Sequence, residues 1–327
     1  MSGLGGRQKN RWRTVALVVT FLGVLNLTWM MGKNLLSRGP DEPLLSRPTR
    51  GVGLSHPRSA RIAFPDRRLK PSLRFRGTND QGHREYLAAD GSVLIRVPAG
   101  DYLGTRPPYK RTAAAQRSGK IHLEGFYIGK FEVTNRQFAR FARDVGFSDA
   151  TGNWRVYGRW MGDDYPVVYL SHWAATAYCR WAGLRLPTVS EWERAARGTD
   201  GRPYPWGREW DRNRSNNFRF SKPKLLSRRA NISQKRGPLP VGVLPDGASP
   251  CGALDMIGNV AEWCSDQGPP VVPRNSPDSS ETWHWRMLCG GSWDDTRERC
   301  SLTPPISDFS PGYGSTYSWG FRVARSE

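Results

Sequence analysis

A loop-rich α+β domain of short elements, held behind a single transmembrane helix, is the fold class this sequence predicts. Three observations carry the prediction. With 35 glycines, 25 prolines and 14 tryptophans in 327 residues, the chain is rich in turns and leans on large rings for its core rather than on leucine stripes. Strand-like alternation repeatedly gives way to short helical patterns with capping residues. Residues 14–32 run nineteen positions without a charge, long enough to cross a bilayer as a helix.

Ahead of that run stand Arg7, Lys9, Arg11 and Arg13, and it ends T-W-M-M-G-K-N with no small-residue cleavage site. An uncleaved signal anchor is therefore expected, not a removed signal peptide. More positive charge precedes the span than follows it at once (Lys33, Arg38). Residues 1–13 are thus expected in the cytoplasm and the folded part in the periplasm or another extracytoplasmic space, a single-pass membrane protein. Residues 33–85, rich in Arg, Pro, Gly and Ser without sustained periodicity, read as a flexible basic linker, and 86–327 as one folded domain.

The formal charge is +20, and half of it lies before residue 92, where sixteen Lys or Arg face six acids. Such a tail, with the basic loop 212–236, suits contact with an anionic surface. Nucleic acid is excluded as a partner class, since there is no zinc-finger spacing, no basic helix feeding heptads and no RNA-recognition signature.

Within the domain, Y-L-A-A-D-G-S-V-L-I-R-V-P from Tyr86 gives two apolar runs around an Asp-Gly turn, a hairpin. Residues 121–134 alternate as strands, and Asn135 opens a helix with Phe138, Phe141 and Ala142 at helical spacing. After the short apolar run 165–170, a second helix places Ala175, Tyr178, Cys179 and Ala182 on one face. Cys179 is expected in the core. Thr188 and Glu191 then form a capping box, and Gly198 closes a third helix after Arg194 and Arg197. Short strands near the C-terminus are expected to pair back into a sheet.

The stretch 251–263, C-G-A-L-D-M-I-G-N-V-A-E-W, sets Asp255 and Glu262 seven apart around Gly258. Such a loop can aim two carboxylates and the intervening carbonyls at one hard cation, or simply carry two solvated acids. The five cysteines, Cys179, Cys251, Cys264, Cys289 and Cys300, contain no C-x-x-C pair, and an odd count leaves at least one without an intrachain partner.

Six blocks in order, F-Y-I-G-K-F-E-V-T-N, A-Y-C-R-W-A-G-L-R-L-P-T-V-S-E-W-E-R-A-A-R-G, P-Y-P-W-G, A-L-D-M-I-G-N-V-A-E-W, G-G-S-W and G-F-R-V-A-R, resemble the formylglycine-generating enzyme family, or sulfatase-modifying factors. The likeness covers residues 92–327 and implies a compact, C-type-lectin-like mixed α/β fold with little regular secondary structure. It also implies a structural calcium held by Asp255, the Gly258 and Val260 carbonyls and Glu262. A second family calcium site would begin at Asn217 and Phe218, but the acid it needs falls near Ser233 in an Arg- and Lys-rich loop that repels a divalent cation.

The family's founding enzymes oxidise a peptide cysteine with oxygen and bind copper through two cysteines, three and eight residues after the serine of G-G-S. Here those positions are Asp295 and Cys300. One thiolate beside a carboxylate is a poor copper(I) site. Ala261 also replaces a family aromatic. Ser292 and Cys300 are the candidate catalytic residues, although for Cys300 a disulfide with Cys251, Cys264 or Cys289 is the favoured reading outside the cytoplasm. The histidines His56, His83, His122, His172 and His284 are scattered, unlike the three-histidine iron site of the family's sulfoxide synthases. His172, where the family usually has Trp, reads as a satisfied structural residue.

The expected function is an anchored maturation or accessory factor acting on a protein or peptide partner without copper oxidation. The alternative is an oxidase working through Cys300, or on a small molecule. The exported bacterial branch of the family is the nearest analogy.

Overall fold

The computed structural model describes residues 68–106, 117–148, 153–217, 237–271, 283–300, 302, 308–311 and 315–327, all within one unit, 63–327. The expected cytoplasmic segment 1–13, membrane helix 14–32 and most of the linker lie outside the described residues. Among the described residues, no helix is long and apolar enough to cross a membrane.

A five-stranded sheet runs β1 (Leu73–Thr78), β2 (Arg84–Ala88), β3 (Val93–Val97), β6 (Phe126–Gly129), β11 (Ala324–Ser326) in spatial order. The expected hairpin is β2–β3, with Tyr86 opposite Leu94. Strand β1 lies inside the stretch read as linker. Its L-R-F-R-G-T alternation sits on a sheet edge with Phe75 58% exposed, so arginine-rich composition hid a strand that buries little. The chain's end does pair back, Ala324 opposite Ile128. A four-stranded sheet orders β10 (Trp319–Gly320), β7 (Ala261–Val271), β8 (Trp283–Cys289) and β9 (Asp308–Pro311), and β4 (Gly100–Arg106) pairs with β5 (Arg117–Leu123).

Helix α1 (Asn135–Val145) buries Phe138, Phe141 and Ala142 as its spacing predicts, and Thr134 with Gln137 closes a capping box at its start. Helix α3 (His172–Ala182) buries Ala175, Tyr178, Cys179 and Ala182. Helix α4 (Val189–Arg197) begins at the Thr188–Glu191 box and ends at Gly198, as expected. A reciprocal cap of this kind stabilises a helix by about 1 kcal/mol. Helix α2 (Asn153–Met161) was not legible, because only Trp154 and Met161 are buried and no apolar stripe faces the core.

Two apolar clusters carry the core. Phe138, Phe141, Tyr178, Trp181, Trp263 and Phe321 dominate one, and Ile95, Phe126, Ile128, Trp192 and Met287 the other. The second also holds Cys251, Cys264, Cys289 and Cys300.

Candidate functional site

The stretch 251–263 winds as a turn into β7 and is held by buried polar groups. Asn259, at φ 53, is its hub. Its amide donates to Glu132 Oε2 (2.8 Å) and accepts from Leu239 N (2.7 Å) and Asn216 Nδ2 (3.0 Å). Gly258, at φ 77, lies so close to the neighbouring segment that a Cβ would stand 2.3 Å from the Asn216 carbonyl oxygen.

Glu262 is fully buried, and both its oxygens are taken by Arg322, from Nε and Nη2, each at 2.6 Å. Trp192 Nε1 adds a third bond at 2.8 Å. The other Arg322 protons reach the carbonyls of Gly129, Lys130 and Leu254, so all five guanidinium donors are matched. Asp255 and Glu132 stand in the same electrostatic neighbourhood. Burial, then the Asp255 and Glu262 charges, pushes Glu132 well above the carboxylate range. Burial pushes Asp255 up to about 6 against a bond from Gly242 N (2.6 Å).

For calcium, oxygen donors and surplus carboxylate charge are chemically apt. Against that, Glu262 has its two oxygens on Arg322, and among the described residues no group of three or more His, Cys, Asp or Glu is arranged to hold a metal ion. Asn217 is buried and lines a cavity of about 950 Å³ with Trp206, Trp210, Arg214 and Arg297, while Phe218 lies outside the described residues.

Two backbone bonds tie this turn to the thiol loop, Gly258 N to Gly290 O and Trp293 N to Asn259 O, both 3.0 Å. In that loop Asp295 caps its own turn. Its Oδ2 accepts from Ser292 N (2.8 Å) and Ser292 Oγ (2.7 Å), and its Oδ1 pairs with Arg299 (2.9 Å). Ser292 and Asp295 line a cavity of about 160 Å³ with Ala261, Gly291, Arg299 and Trp319.

Cys300 does not line that cavity. It is fully buried, its Sγ lies 3.7 Å from the Ser292 carbonyl oxygen, and burial, then Asp295, raises its pKa above the ordinary thiol value. Gly291, at φ 64, lets the loop fold over the sulfur, 3.1 Å from where a Cβ would be. The expected disulfide is not formed. All five cysteines are free and buried, and Cys264 and Cys289 keep their sulfurs 3.5 Å apart. Burial in an apolar cluster already satisfies these side chains as small hydrophobes.

His172 behaves as a structural residue. Its Nε2 meets Cys264 O at 3.1 Å, its ring stands edge-on to Trp263, and burial, then Arg286, lowers its pKa to about 4. Among the other histidines, His83 Nδ1 meets Arg96 O and His122 Nδ1 meets Asp101.

Sequence reading missed a row of rings beside the cavity. Trp293, Tyr317, Tyr169, Tyr157 and Trp160 follow one another with centroid steps of 5.5, 6.3, 5.2 and 5.6 Å. Tyr317 Oη donates to Asp294 Oδ2 (3.2 Å) at the cavity end. Tyr169 holds φ 60, a strained conformation for an aromatic residue, fixed by a bond from its N–H to Thr316 O. Four separate segments supply the row, so no single motif announces it.

Comparison with known proteins places these features. The chain is 31% identical over 243 residues to hercynine oxygenase of Mycobacterium tuberculosis, covering 62% of this chain and 53% of that enzyme, so it spans about half of that relative's length. It is 38% identical over 248 residues to the inactive C-alpha-formylglycine-generating enzyme 2 of Bos taurus, covering 63% and 77%. In fold it resembles PvdO from Pseudomonas aeruginosa (TM-score 0.54, 19% identity, 79% of this chain and all of that one) and Treponema denticola variable protein 1 (TM-score 0.51, 19% identity, the same coverage). The sulfatase-modifying factor enzyme 1-like domain matches residues 83–327, three quarters of the sequence, and the chain belongs to that family.

Proposed function

We propose that this protein is a membrane-anchored, extracytoplasmic maturation or accessory factor that binds a protein or peptide partner at the cavity and ring row, without copper-dependent thiol oxidation. The observation that carries it is the state of the two positions where the family's copper cysteines would stand. Asp295 spends its carboxylate on Ser292 and Arg299, and Cys300 is sealed and held as a thiol. Copper(I) and nucleophilic chemistry both need an accessible thiolate. Likeness to an inactive relative agrees.

The test incubates the full chain with copper, oxygen and a peptide containing C-x-P-x-R and looks for an aldehyde by mass spectrometry. No aldehyde is expected. An aldehyde that disappears in Cys300→Ser overturns the reading. A second reading, an oxygenase of a small molecule, draws support from the likeness to hercynine oxygenase and would show as oxygen consumption independent of Cys300.

Calcium held by Asp255, the Gly258 and Val260 carbonyls and Glu262 belongs to the same proposal. Its support is the surplus of carboxylates, Glu132, Asp255 and Glu262 against Arg322 alone, together with the strained φ of 57 at Asp255. A chelator is then expected to lower the melting temperature of wild type but not of Asp255→Ala. Indifference of the wild type removes calcium and leaves Arg322 as the counter-ion.

A further inference from the structure

Helix α2 is held to the domain by Trp154 and Met161, seven residues apart on one face. The opposite face carries Val156, 71% exposed, and Trp160, 64% exposed, four residues apart and therefore neighbours on the helix surface. Arg155 and Arg159 form the next stripe round. An outward apolar stripe flanked by arginines is the reverse of an ordinary solvent-facing helix.

Beside that stripe, between α1 and α2, runs a groove of about 530 Å³ whose charged lining is Arg143, Arg155, Arg159 and Asp163. The one acid lies 3.6 Å from Arg136 on the neighbouring helix, and Arg159 forms no ion pair among the described residues. Arg155 is set in place by its bond to Phe147 O (3.0 Å) and by stacking over Trp154. Arg143 lies 3.9 Å from Asp144.

We propose that this face docks on an anionic phospholipid surface, with headgroup phosphates in the arginine groove and Val156 and Trp160 in the headgroup–acyl boundary. Charge complementarity selects the occupant, since the groove presents three guanidinium groups to one partly neutralised carboxylate. The adjoining stripe asks for an apolar phase directly next to those anions, and a bilayer surface offers that juxtaposition. Tryptophan and arginine are the side chains that settle at this depth. Trp160 is also the outer end of the ring row, so the two surfaces adjoin there. The arginine groove itself is built from α1, α2 and Asp163 and does not depend on the function proposed above.

The experiment uses the full chain reconstituted into vesicles, with an environment-sensitive fluorophore on Val156→Cys. The native thiols are all buried and stay unlabelled under native conditions. A blue shift is expected in phosphatidylcholine vesicles containing phosphatidylglycerol and not in pure phosphatidylcholine. Each of Arg143→Gln, Arg155→Gln and Arg159→Gln is expected to reduce the docked population about fivefold, with an unchanged melting temperature confirming the fold. A label at Phe75→Cys, exposed on the β1 edge, should not shift. Overturning results are no shift at residue 156 in either lipid, an equal shift at residue 75, or a shift that appears only on adding membrane-free cell protein, which would assign the face to a protein partner.

Discussion

The 255–262 turn and the 290–300 loop are joined by two backbone hydrogen bonds, yet they are built in opposite ways. In the turn, polar groups are buried and partnered, the Glu262 carboxylate with the Arg322 guanidinium and the Glu132 carboxyl with the Asn259 amide that donates to it. In the loop, polar side chains cap their own backbone at the wall of a cavity, and the one sulfur is packed beneath them. The turn is fixed by long-range polar contacts, whereas the loop is fixed by its own short-range caps.

The sharpest way to break this contrast is to remove one side of the buried pair. Arg322→Met leaves Glu262 charged and dry, so about 3–5 kcal/mol of stability is expected to be lost in denaturant unfolding. The double variant Glu262→Gln, Arg322→Met should recover part of it. A loss below about 1 kcal/mol would mean that water reaches the site and that the turn is no more rigid than the loop.

The second effect is on pH. His172 packs against Trp263 and is neutral in the folded protein because burial, and then Arg286, lowers its pKa to about 4, whereas the unfolded chain protonates near 6.5. Between those values the unfolded state binds more protons. This contribution is therefore complete above pH 6.5 and is lost as pH falls towards 4, by up to about 3 kcal/mol. His172→Phe should flatten that slope, and an unchanged slope would place the acid sensitivity elsewhere.

The smallest effect belongs to the loop. Asp295→Ala removes a turn cap and an exposed ion pair, for which about 1 kcal/mol is expected. Cys300 should stay unreactive to thiol reagents in the native variant. Rapid modification of Cys300 in Asp295→Ala would show that the carboxylate, not the core, seals the sulfur.

Much of the fold could be read in advance because its signals are local. The Thr188–Glu191 box, the Asp-Gly hairpin and the stripe of Ala175, Tyr178, Cys179 and Ala182 each lie within a dozen residues and were found where expected. Strand β1 and helix α2 escaped because they bury little, which removes the periodicity by which elements are recognised. At the site, the family resemblance named Ser292 and Cys300 as the candidates; Ser292 lines the small cavity together with Asp295, and Cys300 does not. The expected disulfide of Cys300 failed because cysteine spacing says nothing about whether a sulfur faces a partner or a core.

By itself, then, the sequence determined the capped helices, the hairpin, the family likeness and the presence of Asp295 where the resemblance implies a cysteine. Only the tertiary structure decided that Glu262 would meet Arg322 sixty residues away, that Cys300 would be sealed, and that Tyr169, Tyr317 and Trp293 would stand in one row. The reason is physical. Caps and periodicity are set by dihedrals and neighbours along the chain, whereas burial and ion pairing depend on which distant segments close over a group and displace its water.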